Sequence, residues 1–265
     1  MLFDIVKLNL ARYRKNPVII VPPLVMMIVN LLSLLWGSSY LETYTHEFRS
    51  YFLGFGILIL ILIVSILALL GQASMAGKVV LGEITSLSDW VRGVRAYFSR
   101  VLGISLIYLG ILSLVFIPFG IIYFSLIFKP LASQMGMTAP QTPTSAPLTM
   151  MWTTTLIGAI STAVLYTWIA PIVFENKGVI SSLSSGTRAM RESGRTFLGF
   201  VALIFVVSGI TSSIENLHLY FGETIQQLLY QGYLTYLNIA SQAISTVISP
   251  IWFLTAFTIY HELPR

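Results

Sequence analysis

Six long apolar runs, separated by short polar segments, divide the chain of 265 residues. Each run has roughly 20 residues or more, the length of helix that crosses a hydrocarbon core of about 30 Å. The runs are continuous rather than alternating, and a bilayer admits only helices or closed barrels, so they predict helices. The predicted spans are approximately 18–37, 51–77, 101–129, 150–175, 197–214 and 240–260.

Prolines fall inside four of these predicted spans, the first, third, fourth and sixth. Pro118 lies in the third span, where we expect a kink or a tilt. Pro22 and Pro23 lie in the first span, and they allow two interpretations. Either the helix starts just after the pair, which we favour, or the pair breaks a helix that lines a site.

One stretch of the sequence occurs twice, from Gly82 to Gly103 and again from Gly178 to Gly199, 96 positions later. Aligned pairs include Ile84 with Ile180, Leu87 with Leu183, Arg92 with Arg188 and Arg95 with Arg191. Each copy stands between two apolar runs, which predicts a duplicated unit of span, amphipathic helix and span, approximately 51–129 and 150–214. Two spans separate the starts of the units, so we expect a parallel repeat about an axis along the membrane normal.

Both copies have the periodicity of an amphipathic helix lying on the cytoplasmic surface, and Ser86 or Ser88 is the expected N-cap of the first. Three of the differences between the copies are informative. The first has Trp90, Tyr97 and Phe98 where the second has Gly186, Ser193 and Gly194. We therefore expect the first helix to lean on lipid and the second to use its small residues as a packing interface against protein.

Composition agrees with a membrane protein, since 56% of the residues are hydrophobic and 9% are charged, against about 25% charged in soluble domains. The formal net charge is +5, but the basic residues cluster beside apolar runs, so we expect no nucleic-acid partner. With a cytoplasmic N-terminus, every lysine and arginine except Arg49 and Lys129 falls on the inner side. This bias predicts a cell-membrane protein with both termini in the cytoplasm.

Six arginines lie on or beside the two predicted amphipathic helices: Arg92, Arg95, Arg100, Arg188, Arg191 and Arg195. They are candidate contacts for anionic lipid headgroups, because each basic residue near an anionic leaflet contributes about 1 kcal/mol. The alternative, which we favour, is that they only fix the orientation and anchor the helices.

The predicted spans also contain polar side chains, among them Asn30, Ser241, Ser245 and Thr246. Gln72, Ser74 and Gln242 are the candidates for the lining of a cavity or substrate path. The alternative, which we favour, is hydrogen bonding and close packing between helices, the common role of small and amide residues in membranes.

The sequence offers little for catalysis or metal binding. It has no cysteine, and its three histidines stand far apart. No catalytic residue, metal site or cofactor is predicted, and an enzyme is the least favoured class. It would require His46, Glu47, His218 and Glu223 to converge. For Glu175 two roles are open: pairing with an arginine of the second amphipathic helix, or marking the membrane exit with Lys177.

A family resemblance is carried by the run Pro171, Glu175, Gly178, Leu183, Arg188 and Leu198–Gly199, and by the last span from Pro250 to Arg265. These residues resemble a broad group of prokaryotic six-helix membrane proteins similar to the membrane domain attached to some glycerophosphodiester phosphodiesterases. The resemblance implies a membrane module. In that family a separate soluble domain carries the phosphodiester chemistry, and nothing in this sequence resembles it, so no catalytic residue is implied.

The sequence therefore predicts an all-α integral membrane protein with six spans in a single polytopic domain, residues 1–265. The expected function is that of a non-catalytic subunit or scaffold for a partner protein or complex. The alternative is a transporter or lipid-handling protein that contacts anionic lipid through its arginine-rich helices. The expected partners are membrane lipids, together with a second protein or a second copy of the chain.

Overall fold

All secondary structure is helical in the ranges that the computed structural model describes, residues 1–43, 48–133, 145–215 and 231–262, and the all-α prediction is confirmed. A short 3-10 helix, Pro17–Ile20, stands between the first two α-helices. The α-helices are α1 (Leu2–Lys15), α2 (Val21–Thr43), α3 (Phe48–Val80), α4 (Leu87–Ser133), α5 (Ser145–Glu175), α6 (Val179–Glu192), α7 (Gly194–Glu215) and α8 (Gln231–Glu262).

Five of these helices carry a segment long and apolar enough to cross a membrane. The segments are Ile59–Val80, Leu87–Leu114, Met151–Glu175, Gly194–Ile214 and Ile239–Glu262. Helix α1 and the following segment Pro17–Ser33 meet the same criterion only as a pair, and the two are bent by 99°. The described residues therefore provide five candidate spans, or six if the bent pair counts as one.

The C-terminal half of α8 lies at the centre of the bundle, and every residue from Phe253 to Tyr260 is buried. A helix that is apolar on all sides is stable only when other helices surround it. Helix α5 supplies aromatic partners, with Tyr166 stacked on Phe253 at a ring distance of 3.8 Å and Phe174 edge-on to Phe257 at 5.4 Å. The sixth predicted span is thus the most enclosed part of the described structure.

The expected break between the first amphipathic helix and the third span is absent. Helix α4 runs unbroken from Leu87 to Ser133, through Pro118. In the second copy Ser193 ends α6 and Gly194 opens α7. The aligned residues of the first copy are Tyr97 and Phe98. The pair Ser-Gly favours helix less than Tyr-Phe does, mainly through the glycine, which explains why only the second copy breaks.

The start of α2 also differs from the favoured expectation. The helix begins at Val21, one residue before Pro22 and Pro23, rather than after them. Both prolines are buried in the first turn, where backbone N–H groups have no intrahelical acceptor and a proline is tolerated.

The segment predicted as the first amphipathic helix packs on protein through Trp90 and Tyr97, two side chains that the sequence analysis expected to lean on lipid. The indole of Trp90 fills a groove over Gly71, and a Cβ on Gly71 would lie 1.7 Å from Cδ1 of Trp90. The Nε1 of Trp90 donates to the carbonyl of Leu67 at 2.9 Å. Tyr97 packs against the core. Phe98 remains exposed, as expected.

The second amphipathic helix packs on α5 with the small and large residues exchanged. Gly186 is buried, and a Cβ there would lie 2.8 Å from both the carbonyl oxygen of Thr167 and Cδ1 of Trp168. The indole Nε1 of Trp168 donates to Thr187 at 3.1 Å. In this pair the tryptophan, Trp168, lies on the span α5. In the pair of α3 and α4 the tryptophan, Trp90, lies on the amphipathic segment instead.

Two polar segments, 130–149 and 215–236, are predicted by the sequence to be an outer loop without secondary structure and an amphipathic helix on the outer interface, and their described ends are helical. Within the predicted loop 130–149, α4 extends to Ser133 and α5 begins at Ser145. The predicted outer helix at 215–236 falls mostly on residues outside the described ranges, and residues 231–236 belong to α8.

We expect Gly71→Leu to destabilise the bundle by about 1–3 kcal/mol, the usual cost of overpacking, because the new side chain overlaps the indole of Trp90. Thermal unfolding in detergent measures the loss, and Trp90→Ala in the same background should recover part of it. Gly110→Leu in α4 is the matched control, since a Cβ at Gly110 meets no atom within 4 Å. Equal unfolding temperatures for both glycine variants would contradict this packing.

Candidate functional site

A polar cleft of about 270 Å³ opens between α2, α3, α5 and α8. The cleft is lined by Pro23, Met26, Met27, Asn30, Ser65, Ala68, Leu69, Gln72, Tyr166, Gln242, Ser245, Thr246 and Ser249. A helix rises 1.5 Å per residue, so Gln72 lies about 12 Å from the end of α3 at Val80. By the same measure, Gln242 lies about 30 Å from the end of α8 at Glu262. The cleft therefore lies along the middle of the bundle.

The two glutamines predicted as lining residues both lie on this cleft, in different states. Gln72 is buried, and its amide nitrogen donates to Ser249 on α8 at 3.0 Å, which is the interhelical role. Gln242 is half-buried, and no described residue donates to its buried Oε1. An unsatisfied buried acceptor costs about 1–3 kcal/mol, and because this oxygen is enclosed by protein, the amide must turn before a molecule in the cleft can donate to it.

Pro250 adds a second acceptor to the same region. It lies inside α8 and has no N–H, so the backbone carbonyl of Thr246 lacks its usual helical donor. Thr246 lines the cleft, and its hydroxyl donates to the carbonyl of Gln242 at 2.7 Å. The wall formed by α8 therefore carries amide and hydroxyl side chains that can accept or donate a hydrogen bond.

Ser74, the third predicted lining residue, lies elsewhere. Its hydroxyl donates to the backbone carbonyl of Asp89 at 3.1 Å, and its side chain fills the space over Gly93 of α4. Ser74 lines a second pocket of about 260 Å³ at the end of the bundle where α3 and α5 terminate. Its role in the described structure is to hold α4 against α3.

Lys78 and Asp89 form the centre of this second pocket. Asp89 is buried, and its Oδ1 lies 2.8 Å from Nζ of Lys78 and 3.8 Å from a guanidinium nitrogen of Arg92. Its Oδ2 accepts the backbone N–H of Ser86 at 2.9 Å and the Ser86 hydroxyl at 3.0 Å, so Ser86 and Asp89 begin α4 as a capping pair. The carboxylate thus ties the start of α4 to the end of α3.

Helix α1 is fastened across the ends of α3 and α8 by a polar network that the sequence analysis missed. Asn9 is fully buried, donates to Thr255 at 3.4 Å and accepts from Thr258 at 3.0 Å. Arg12 donates to the carbonyl of Val80 at 3.0 Å and lies 2.5 Å from a carboxylate oxygen of Glu262. We call this end of the bundle, where α3, α5 and α8 terminate, the α1 end.

The candidate lipid-binding arginines have two kinds of environment. Arg92, Arg95, Arg188, Arg191 and Arg195 are exposed. Arg100 is half-buried and donates to the backbone and side-chain oxygens of Asn176, so it connects α4 to the turn between α5 and α6. Five of the six candidates are therefore available to headgroups.

Glu175 pairs with Lys177 rather than with an arginine of α6. Its Oε2 lies 2.5 Å from Nζ of Lys177, and its Oε1 accepts the phenolic hydroxyl of Tyr260. The contact with Tyr260 ties the end of α5 to the buried helix α8.

The predicted packing residues of α6 separate into two groups. Gly186 packs internally, against Thr167 and Trp168 of α5. Ser193 donates to the carbonyl of Ala189 at 2.6 Å, and a Cβ on Gly194 would meet no atom within 4 Å. Ser193 and Gly194 therefore form the break between α6 and α7. His46, Glu47, His218 and Glu223 lie outside the described residues.

These features define an all-α, multi-pass membrane protein with a polar cleft inside its bundle. The sequence matches the family described as Domain of unknown function (DUF7847) over residues 6–262, and the chain belongs to that family. Comparisons with curated proteins and with solved structures gave no match. Because the family description names no activity, function is inferred from the cleft.

We expect Arg12→Ala to destabilise the α1 end by about 1–3 kcal/mol, because it leaves the carbonyl of Val80 and the carboxylate of Glu262 without their donor. Thermal unfolding in detergent measures the loss. Arg14→Ala is the control, since it removes the same charge at an exposed position of the same helix. Unchanged stability in Arg12→Ala would contradict the proposed fastening of α1.

Proposed function

We propose that the protein is a non-catalytic transport or lipid-handling membrane protein that binds a small uncharged amphiphile in the cleft. The observation that carries this proposal is the open polar cleft along the middle of a membrane bundle. Polar side chains within a bilayer are costly and mostly face protein or a water-filled cavity. Asn30, Gln242 and Ser245 line open space, so close packing does not account for them.

The chemistry of the wall defines the ligand class. Among the described residues that line the cleft there is no acid, lysine, arginine or histidine, so a charged group beside them would have no counter-ion. The amide and hydroxyl side chains on α8 favour a hydroxyl or amide group, and Met26, Met27 and Leu69 supply an adaptable apolar wall. The volume of about 270 Å³ is near the lower end of ligand pockets, which favours a small molecule or part of a lipid.

Six spans and a cytoplasmic α1 end complete the proposed arrangement. The first span is α2, and α1 lies outside the membrane, which is supported by the bend of 99° between them. The exposed arginines Arg92, Arg95, Arg188, Arg191 and Arg195 lie towards the α1 end, as the positive-inside rule requires of a cytoplasmic face. The same arginines are the proposed contacts for anionic lipid.

The duplication is also part of the proposal, and side-chain contacts support it. Lys78 at the end of α3 reaches Asp89 at 2.8 Å, and Lys177 after α5 reaches Ser185 at 2.7 Å. Asp89 and Ser185 are aligned residues of the two copies. The exchanged tryptophan–glycine packing fits the same alignment, since Trp90 aligns with Gly186.

The two copies differ at the turn that precedes the amphipathic segment. Gly82 has a φ of +83°, whereas Gly178, with which it aligns, is extended at −72°. In the second copy Asn176 takes the left-handed conformation, with a φ of 52°. Helix α6 consequently begins at Val179, one turn earlier in the alignment than α4.

A subunit or scaffold is the second candidate function. A hollow of about 420 Å³ at the break between α6 and α7 favours it, lined by Met1, Arg191, Glu192, Ser193, Gly194, Arg195 and Thr196. A partner protein would dock there. Gly186 does not contribute, because α5 already covers it.

Thiol labelling tests whether water reaches the cleft. The chain has no cysteine, so single-cysteine variants need no background changes. In nanodiscs we expect Ser245→Cys to react with a membrane-impermeant methanethiosulfonate. Val247→Cys, two residues further along α8 and 49% exposed outside the cleft, should be protected by lipid. Equal rates at both positions would contradict a water-connected cleft.

Photolabelling tests the proposed ligand class. An eight-carbon alkanol with a diazirine should label the peptide that contains Met26 and Met27 in a saturable manner. Gln242→Leu should weaken this labelling about fivefold, the equivalent of one hydrogen bond. Val247→Leu, outside the cleft, should leave it unchanged. Labelling that does not saturate, or that is equal in both variants, would favour the subunit function instead.

A further inference from the structure

Helix α1 crosses the α1 end of the bundle with one face bound to protein. Near its start, Cδ2 of Leu2 would lie 3.0 Å from a Cβ on Gly199 of α7. Asn9 contacts α8, and Arg12 reaches both the end of α3 and Glu262 of α8. These contacts fix the rotation of α1 about its own axis, so its remaining faces have defined directions.

One exposed flank of α1 is apolar and bordered by basic residues. Phe3 is 77% exposed and Leu10 is 37% exposed, and their spacing of seven residues places them two turns apart on the same side. Lys7 and Arg14 follow each of them by four residues and are also exposed. An apolar row beside a basic row is typical of helices that lie in a membrane interface.

The other exposed flank has a different character. It carries Asp4, Ala11 and Lys15. Within the described helix α1, Leu8 is the one large apolar side chain on this flank. The two flanks therefore differ in polarity, although both are open to the surroundings. The second flank has one large apolar side chain where the first has two, and its charges are of mixed sign where those of the first are both basic.

The bend between α1 and the first span gives the direction of the membrane. Helix α1 and Pro17–Ser33 meet at 99°, so α1 lies parallel to the membrane surface if α2 crosses the bilayer. In that orientation an exposed flank of α1 can meet the edge of the hydrocarbon, and basic side chains beside it can stand at the level of lipid phosphates.

We propose that α1 is an interfacial helix that inserts Phe3 and Leu10 into the bilayer and binds anionic headgroups through Lys7 and Arg14. The site is separate from the arginines of α4, α6 and α7 and does not depend on a ligand in the cleft. A lipid surface fits better than a second copy of the chain, because two apolar side chains cover far less than the roughly 800 Å² per partner of a stable interface. The basic row also matches phosphates.

Spin labels on single cysteines test the insertion. In nanodiscs of phosphatidylcholine and phosphatidylglycerol, labels at Phe3→Cys and Leu10→Cys should collide more with oxygen than with a water-soluble nickel chelate. Labels at Asp4→Cys and Ala11→Cys, on the other flank, should show the reverse. All four positions are at least partly exposed, so the variants should fold, as gel filtration can verify. Preferential nickel access at positions 3 and 10, or dipolar broadening between labels of two copies, would overturn the proposal.

Charge variants test the headgroup contact. In a titration of the phosphatidylglycerol fraction, read by the label at position 3, Lys7→Gln with Arg14→Gln should weaken the response by about fivefold for each charge removed. Lys15→Gln removes a charge from the other flank and should change it less than twofold. No shift in the double variant, or the same shift per charge in Lys15→Gln, would overturn the assignment to this row.

Discussion

The burial of the C-terminal half of α8 is the constraint on which the rest of the structure depends. Thr255 and Thr258 lie within a stretch that is enclosed on every side, and buried hydroxyls require partners. Asn9 of α1 supplies them, and Glu175 at the end of α5 accepts the hydroxyl of Tyr260. Hydrogen bonds to the polar groups of this one buried helix thus hold both α1 and the end of α5 at the same end of the bundle.

Pro250 stands at the transition between the two halves of α8. On one side of it, from Phe253 to Tyr260, the helix is packed on all sides by aromatic and aliphatic residues. On the other side, Gln242, Thr246 and Ser249 line open space. The α1 end is therefore suited to structural support, and the middle of the bundle is suited to binding a ligand between the helices.

Much of the architecture follows from local physics and could be predicted from the sequence. Apolar runs of membrane length predict the helices, and Gln72 and Gln242 stand out as polar side chains within predicted spans. The contact between Gly71 and Trp90 could not be predicted, because the two residues lie on different helices, α3 and α4. The sequence does not give the geometry of the turn that joins these helices. Asn9 and Arg12 gave no signal, since Asn9 looks like a surface residue and a count of charges assigns Arg12 to membrane orientation.

Hydrogen exchange along α8 in nanodiscs tests this division most directly. The backbone amides from Phe253 to Tyr260 are enclosed by protein, so they should exchange at the slowest rates in the chain. Amides between Gln242 and Ser249 border the cleft and should exchange measurably faster. Uniformly slow exchange along α8 would mean that water does not enter the bundle, and it would contradict both the cleft and the function inferred from it.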